Sequence, residues 1–188
     1  MTGTRQRRAP RLSDLEPLRD EARSVLVIIE TPKGSRTKLA YDPELEAFVV
    51  KKVLPQGLSF PFDFGFIPST RGEDGDPLDI LVLMDDPVAS GSIVPSRLIG
   101  VIEAEQKEQD GEVARNDRLI AVAEVCQLFA DIKKLSDLPD TVVSQIERFF
   151  VTYNEQEGRQ FTVTGRHGRK RAEANFEEGR RRHRKRSK

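Results

Sequence analysis

The sequence predicts an α+β protein, built as a small β-barrel with flanking helices toward the C-terminal end. Two observations favour this class. Short apolar, β-branched runs recur from residue 24 onward, and glycine or proline residues interrupt them at short intervals. Against these many strand-like runs, a single segment has a strong helical period, which is typical of a sheet-rich domain with few helices.

The first predicted strand is the run Val25-Leu26-Val27-Ile28-Ile29, which Pro32 and Gly34 close. Its β-branched residues suit a buried strand. By the same criteria, further strands are predicted at 36–41, 47–54, 60–67, 78–84, 92–102, 118–126 and 160–164.

The strong helical segment follows Pro139 and precedes Gly158. Apolar side chains recur there at three- and four-residue spacing, which places them on one face of a helix: Val142, Val143, Ile146, Phe149, Phe150 and Tyr153. A weaker helix is predicted near residues 168–179.

Charge divides the chain more clearly than hydropathy does. Residues 1–12 hold four arginines and no acid, and residues 166–188 hold 11 basic residues against three acids, so residues 13–165 have a net charge of −12. We predict a basic, disordered N-terminal arm (1–12), one domain (13–165) and a basic C-terminal extension (166–188) that is partly helical or disordered.

Several classes of protein are disfavoured. Cys126 is the one cysteine, so the chain cannot form an internal disulfide, and no window approaches the ~18 apolar residues of a membrane span. No apolar segment follows the N-terminal arginines, so we expect no secretory signal, no membrane partner and a cytoplasmic protein. His167 and His183 lack an acid at catalytic spacing, which favours solvated side chains.

Three aspartates, Asp74, Asp76 and Asp79, lie within six residues at the start of an apolar strand. Their like charges repel unless a cation or water neutralises them, and an all-oxygen ligand set favours Mg²⁺. Basic residues in or beside predicted strands could bind phosphate oxygens: Lys38, Lys51, Lys52 and Arg118. The alternative is an acidic surface turn that precedes a strand.

Residues 103–117 form an acidic segment between two predicted strands. We interpret it as a mobile, solvated connection. The alternative is an acidic flap that adds metal ligands to the aspartate cluster.

The run Asp74-Gly75-Asp76-Pro77-Leu78-Asp79 before an apolar strand resembles the signature of the family I soluble inorganic pyrophosphatases. Other segments resemble the same family in unbroken order over about 24–165, namely Val27–Pro32, Thr37-Lys38, Phe60–Pro68, Gly91–Val94, Leu119–Val122 and Phe149–Tyr153.

This resemblance implies an OB-like closed β-barrel and the Mg²⁺-dependent hydrolysis of pyrophosphate to two phosphates, in an enzyme that is a homo-oligomer. It implies that Asp76 accepts the proton of the attacking water. By the same resemblance Asp74 and Asp79 are ligands of the principal metal, Glu30 serves an outer metal, and Lys38 and Tyr153 hold phosphate oxygens.

The chain departs from the family pattern at several positions. A family glutamate is replaced by Ala40, two tyrosines by Phe60 and Phe64, and a lysine by Asn154. The substrate arginine falls at Lys52, which loses the bidentate fork. The two phenylalanines are predicted to make the pocket wall more apolar.

The acidic segment departs most. The family has two aspartates there and a lysine, whose place Arg118 takes. Counting from either side puts Gln106 and Asn116 at the two aspartates, so Asp117, or Asp110, is the candidate replacement ligand.

These departures leave a second hypothesis open. The chain could be a catalytically weakened, pyrophosphatase-like protein that binds phosphate ligands, nucleic acid or a protein partner. Seven basic residues within Arg180–Lys188 are the feature that favours nucleic acid. A solubilising arm, or one that folds back on the acidic domain, is the simpler interpretation.

Overall fold

The structure, a computed structural model, describes residues 11–19 and 24–186. The predicted N-terminal arm lies almost wholly outside these residues. The strands are β1 (Leu18–Arg19), β2 (Ser24–Thr31), β3 (Thr37–Asp42), β4 (Ala47–Val53), β5 (Asp63–Ile67), β6 (Leu78–Leu83), β7 (Ile93–Lys107), β8 (Val113–Arg115), β9 (Arg118–Ala123) and β10 (Gln160–Gly168), and the helices are α1 (Asp140–Glu155) and α2 (Arg169–Arg186).

Eight of these strands form one mixed sheet. β2 pairs with β5, β5 with β6, β6 with β9, β9 with β7, and β7 with β2 again. The β6–β9 pair is parallel and the others are antiparallel, while β3 and β4 form a separate hairpin. The predicted sheet-rich architecture with helices in the C-terminal part is therefore confirmed.

The core lies inside this sheet and under α1. Every residue of β9 is buried, as are the last four of β6, in keeping with their continuous apolar runs. The predicted face of α1 packs against the sheet through Val143, Ile146, Phe149 and Phe150. No helix within 11–19 and 24–186 is long and apolar enough to span a membrane.

The interpretation of residues 103–117 as a mobile connection is wrong. β7 continues to Lys107, turns at Gly111 (φ +94°) and returns as β8, while β10 pairs with the other edge of β7. Because one face of this hairpin is exposed, its strands contain few apolar residues, and the apolar pattern that identifies buried strands is missing.

Helix α2 packs against the body through Ala172 and Phe176, which are fully buried and one turn apart. Arg180 pairs with Glu16 at 3.3 Å, and Arg182 pairs with Glu73 at 2.9 Å. These ion pairs agree with a basic segment that folds back on the acidic domain. Nucleic-acid binding through this segment, and the division at residue 166, stay predictions.

Candidate functional site

A cavity of about 640 Å³ opens beside the β3–β4 hairpin, between the start of β6 and the β7–β8 hairpin. Four predicted site residues lie along one side of it: Glu30 from β2, Asp74 and Asp76 from the loop before β6, and Asp79 from β6 itself. We call these four residues the carboxylate wall. The structure therefore brings together the three aspartates of the sequence motif and the distant glutamate.

A tight turn shapes the aspartate loop. Gly75 adopts a φ of +95°, which an L side chain rarely tolerates. The amide N–H of Asp76 donates to the Asp74 carboxylate at 3.1 Å, and the amide of Gly72 donates to the Asp76 carbonyl at 2.7 Å. The carboxylates are thus held close by backbone geometry rather than by side-chain packing.

The carboxylate wall holds more negative charge than its surroundings stabilise. Burial raises the pKa of Glu30 to about 7, against the lowering effect of the Tyr41 amide that donates to it at 2.7 Å, and Asp79 raises it further. The pKa of Asp74 rises to about 6, chiefly because surrounding protein removes part of its water, with Asp79 and Asp76 adding repulsion. A cation beside these groups would relieve both effects.

The donor set fits a hard divalent cation, since all four side chains offer oxygen ligands. Within the described ranges, however, no three acidic, histidine or cysteine side chains are already arranged around a common point for a metal ion. Asp79 is engaged by Arg118, whose Nη1 lies 2.7 Å from its Oδ2, so ligation of a cation by Asp79 would compete with this ion pair.

Lys38 and Tyr153 also line the cavity. Lys38 Nζ lies 5.3 Å from the Phe64 ring centroid and 5.4 Å from that of Tyr153. Burial disfavours its ammonium form, but the charges of Tyr153 and Asp79 outweigh burial and raise the pKa of Lys38. Lys38 therefore keeps its positive charge in the same cavity as the carboxylate wall.

Lys52 is not among the residues that line the cavity. It is the cross-strand partner of Lys38, and its Nζ lies 3.5 Å from the centroid of the Tyr153 ring and forms an ion pair with Glu157. The structure therefore places Lys52 behind Tyr153 rather than in the cavity. Its predicted substrate contact stays a prediction.

A second side of the cavity consists of Gln106, Asn116 and Arg118, which we call the amide wall. Asn116 Nδ2 donates to Gln106 Oε1 at 3.1 Å, and Gln106 Nε2 donates to Glu108 Oε1 at 2.5 Å. Arg118 is 4% exposed, and its Nη1 donates to Asn116 Oδ1. The two positions that counting matched to the family aspartates are therefore in direct contact.

Asp117 points away from this cavity. Its Oδ1 accepts from the Ala104 amide at 3.2 Å, and its Oδ2 lies 2.7 Å from Asn175 Nδ2 and 2.6 Å from Arg115. Adjacent residues of an extended segment face opposite sides, so Asn116 and Asp117 separate here. Asp117 does not line this cavity, but it lines a smaller one together with Asp74 and Asp79. Asp110 lies in the exposed turn beyond β7.

Sequence reasoning did not identify Arg159, which lines the cavity and contacts Glu108 at 2.7 Å. The available signal was Gly158, whose φ of +68° lets the chain turn back after α1.

The expectation that Phe60 and Phe64 make the pocket wall more apolar is not met. Both are buried among core aromatic rings rather than lining the cavity, because each packs at a tilt against a ring of α1.

Comparisons with known proteins agree on one family. The family model described as inorganic pyrophosphatase matches residues 27–184. The chain is 40% identical over 160 residues to the inorganic pyrophosphatase of Thermus thermophilus, covering 83% of this chain and 89% of that one. It is 39% identical over 150 residues to the enzyme of Aeropyrum pernix, covering 78% and 82%.

Solved structures give the same result. The crystal structure of the Thermus thermophilus inorganic pyrophosphatase has a TM-score of 0.85 at 34% identity, covering 93% of this chain and 99% of the other. That of Helicobacter pylori has a TM-score of 0.82 at 32% identity, covering 90% and 98%.

Proposed function

This chain belongs to the inorganic pyrophosphatase family, and on that premise we propose that it hydrolyses inorganic pyrophosphate to two phosphates in a reaction that requires Mg²⁺. The observation that most directly supports this function is the carboxylate wall, which lines one cavity together with Lys38 and Tyr153. Acids and a retained cation in one cavity suit a metal-bound phosphate anhydride.

In this proposal Asp74, Asp79 and Glu30 would hold the metal. Bound Mg²⁺ would supply charge neutralisation and a lower pKa for the attacking water. The ion pair between Asp79 and Arg118 would have to loosen for Asp79 to ligate. We leave Asp117 out of the ligand set, because its oxygens already accept from Ala104, Asn175 and Arg115.

Asp76 would accept the proton of the attacking water. It lines the cavity between the proposed ligands Asp74 and Asp79, and its backbone is fixed by the Gly72 and Asp74 contacts. A carboxylate beside a cation stays ionised and is therefore able to act as a base. Lys38 would donate to phosphate oxygens, with the Tyr153 phenol beside it.

The decisive experiment is pyrophosphate hydrolysis with Mg²⁺, comparing the wild type with Asp76→Asn. We expect the wild type to release phosphate and the variant to be at least about 100-fold slower, the usual range for loss of a general base. Asp110→Asn is the matched control, because this aspartate is exposed and outside the cavity. An inactive wild type, or a fully active Asp76→Asn, would overturn the proposal.

The fold and the assembly extend this proposal. The series of pairings that leaves β2 through β5 and returns to it from β7 supports an OB-like closed barrel.

Two exposed apolar side chains, Val125 and Leu128, are 70% and 76% exposed and support a homo-oligomer. Light scattering of the wild type and of Val125→Asp/Leu128→Asp would test that assembly, which we expect the charges to weaken.

A further inference from the structure

The two amide oxygens of the amide wall are already used by N–H donors. Gln106 Oε1 accepts from Asn116 Nδ2 at 3.1 Å, and Asn116 Oδ1 accepts from Arg118 Nη1. Oxygen is the one atom of a carboxamide that ligates Mg²⁺ in proteins, since the NH₂ group is a donor. Each side chain therefore offers at most one remaining lone pair on a neutral oxygen, where the family resemblance expects a charged carboxylate.

The neighbouring acids do not replace these ligands. Glu108 Oε1 accepts from Gln106 Nε2 at 2.5 Å, and its Oε2 lies 2.7 Å from Arg159 Nε. Glu112 lines the cavity on the same side but is exposed. One hydrated carboxylate is a weak site for a cation that sheds its water reluctantly.

Arg118 supplies a fixed positive charge at this wall. Its guanidinium carbon lies 4.8 Å from the centroid of the Phe150 ring and 5.3 Å from that of Phe161. The side chain is 4% exposed, and its Nε is buried without a hydrogen-bond partner in the described part of the chain. A buried guanidinium with an unused donor is suited to bind an anionic oxygen and would repel a second cation.

We propose that the amide wall binds no divalent cation. The need for such a cation elsewhere in the cavity rests on the proposed function. Cations are thus confined to the carboxylate wall, and this chain binds fewer of them per active site than it would with aspartates at positions 106 and 116.

Counting bound Mn²⁺ by equilibrium dialysis, with the non-hydrolysed analogue imidodiphosphate present, tests the proposal. We expect the double variant Gln106→Ala/Asn116→Ala to bind as many Mn²⁺ ions per chain as the wild type, while Asp79→Asn binds fewer. If the alanine variant loses one ion, the amide wall is a cation site and the proposal is overturned. Should that variant fail to fold, the single change Asn116→Leu answers the same question.

This measurement does not require turnover, so an inactive wild type would contradict the proposed function without deciding this proposal.

Discussion

The carboxylate wall and the amide wall differ in how the charge of each is neutralised. The carboxylate wall places Asp74, Asp76 and Asp79 together through backbone turns, and burial raises the pKa values of Glu30 and Asp74. On the amide wall, Gln106 and Asn116 are neutral, and their oxygens accept from side chains of the same wall. The carboxylate wall needs a cation from solution to neutralise its charge, whereas the amide wall already contains the cationic side chain of Arg118.

The largest difference should appear in turnover. Asp79→Asn removes a proposed ligand and should lower kcat/KM for pyrophosphate at least about 1,000-fold, since a metal contributes several kcal/mol to stabilising the transition state. Asn116→Ala should stay within about tenfold of the wild type. Steady-state kinetics at saturating Mg²⁺ compares the two, and equal losses would mean that the walls are not distinct.

The effect of removing a lysine should depend on whether that lysine lines the cavity, and not on its place in the β3–β4 hairpin. Lys38→Met should raise KM about 10- to 100-fold, because a charged donor to phosphate contributes about 1.5–3 kcal/mol. Its cross-strand partner Lys52 provides the matched control, since Lys52→Met removes a contact with Glu157 outside the cavity. A larger effect at Lys52 would place the substrate nearer β4.

Without metal, the carboxylate wall should make stability depend on pH. The pKa of Glu30 is raised in the folded state, so its contribution to stability is fully present below its unfolded pKa and is lost as pH rises through about 7. Between pH 6 and pH 8 this amounts to about 1 kcal/mol of unfolding free energy. Urea unfolding in EDTA measures it.

Glu30→Gln should flatten that slope, and saturating Mg²⁺ should do the same for the wild type. Gln106→Ala should keep the slope unchanged, because the carboxamide of Gln106 does not titrate in this range. An equal slope in Glu30→Gln and the wild type would show that another acid is responsible.

The smallest effect on stability should come from removing the contact between α2 and the aspartate loop. Arg182→Ala removes the 2.9 Å pair with Glu73, which is partly exposed and therefore contributes about 0–1 kcal/mol to the free energy of unfolding. Thermal unfolding should shift only slightly, with Arg181→Ala on the exposed face of α2 as control. A shift of several kcal/mol would mean that the loop is far more strained than its hydrogen bonds indicate.

Local sequence patterns were sufficient for the three aspartates of the carboxylate wall and for most of the core. Asp74, Asp76 and Asp79 lie within six residues, and β2 and β6 each contain a run of consecutive apolar residues, so neighbours along the chain determine both. Glu30 was assigned to the site through the family resemblance alone, because no local sequence pattern connects it with the aspartates.

The amide wall and its surroundings depend on contacts between distant segments. The strands within residues 103–117 are half-exposed, so they lack the apolar period of a buried strand. Whether Asn116 or Asp117 faces the cavity depends on a register shift of one residue. Asp117 is held by Asn175, which lies 58 positions away and belongs to a helix that composition predicts only weakly.

Helix α2 also has a consequence for the order in which the molecule forms. It touches the aspartate loop through Arg71, whose amide donates to the Gly179 carbonyl at 3.0 Å, and through the Arg182–Glu73 pair, which joins residues 109 positions apart. Such distant closures cost chain entropy, so they follow the assembly of nearer contacts. Because α2 buries few apolar side chains, its detachment should cost far less than unfolding of the core. The capacity to bind metal would therefore be acquired late in folding and be the first property lost under mild denaturation.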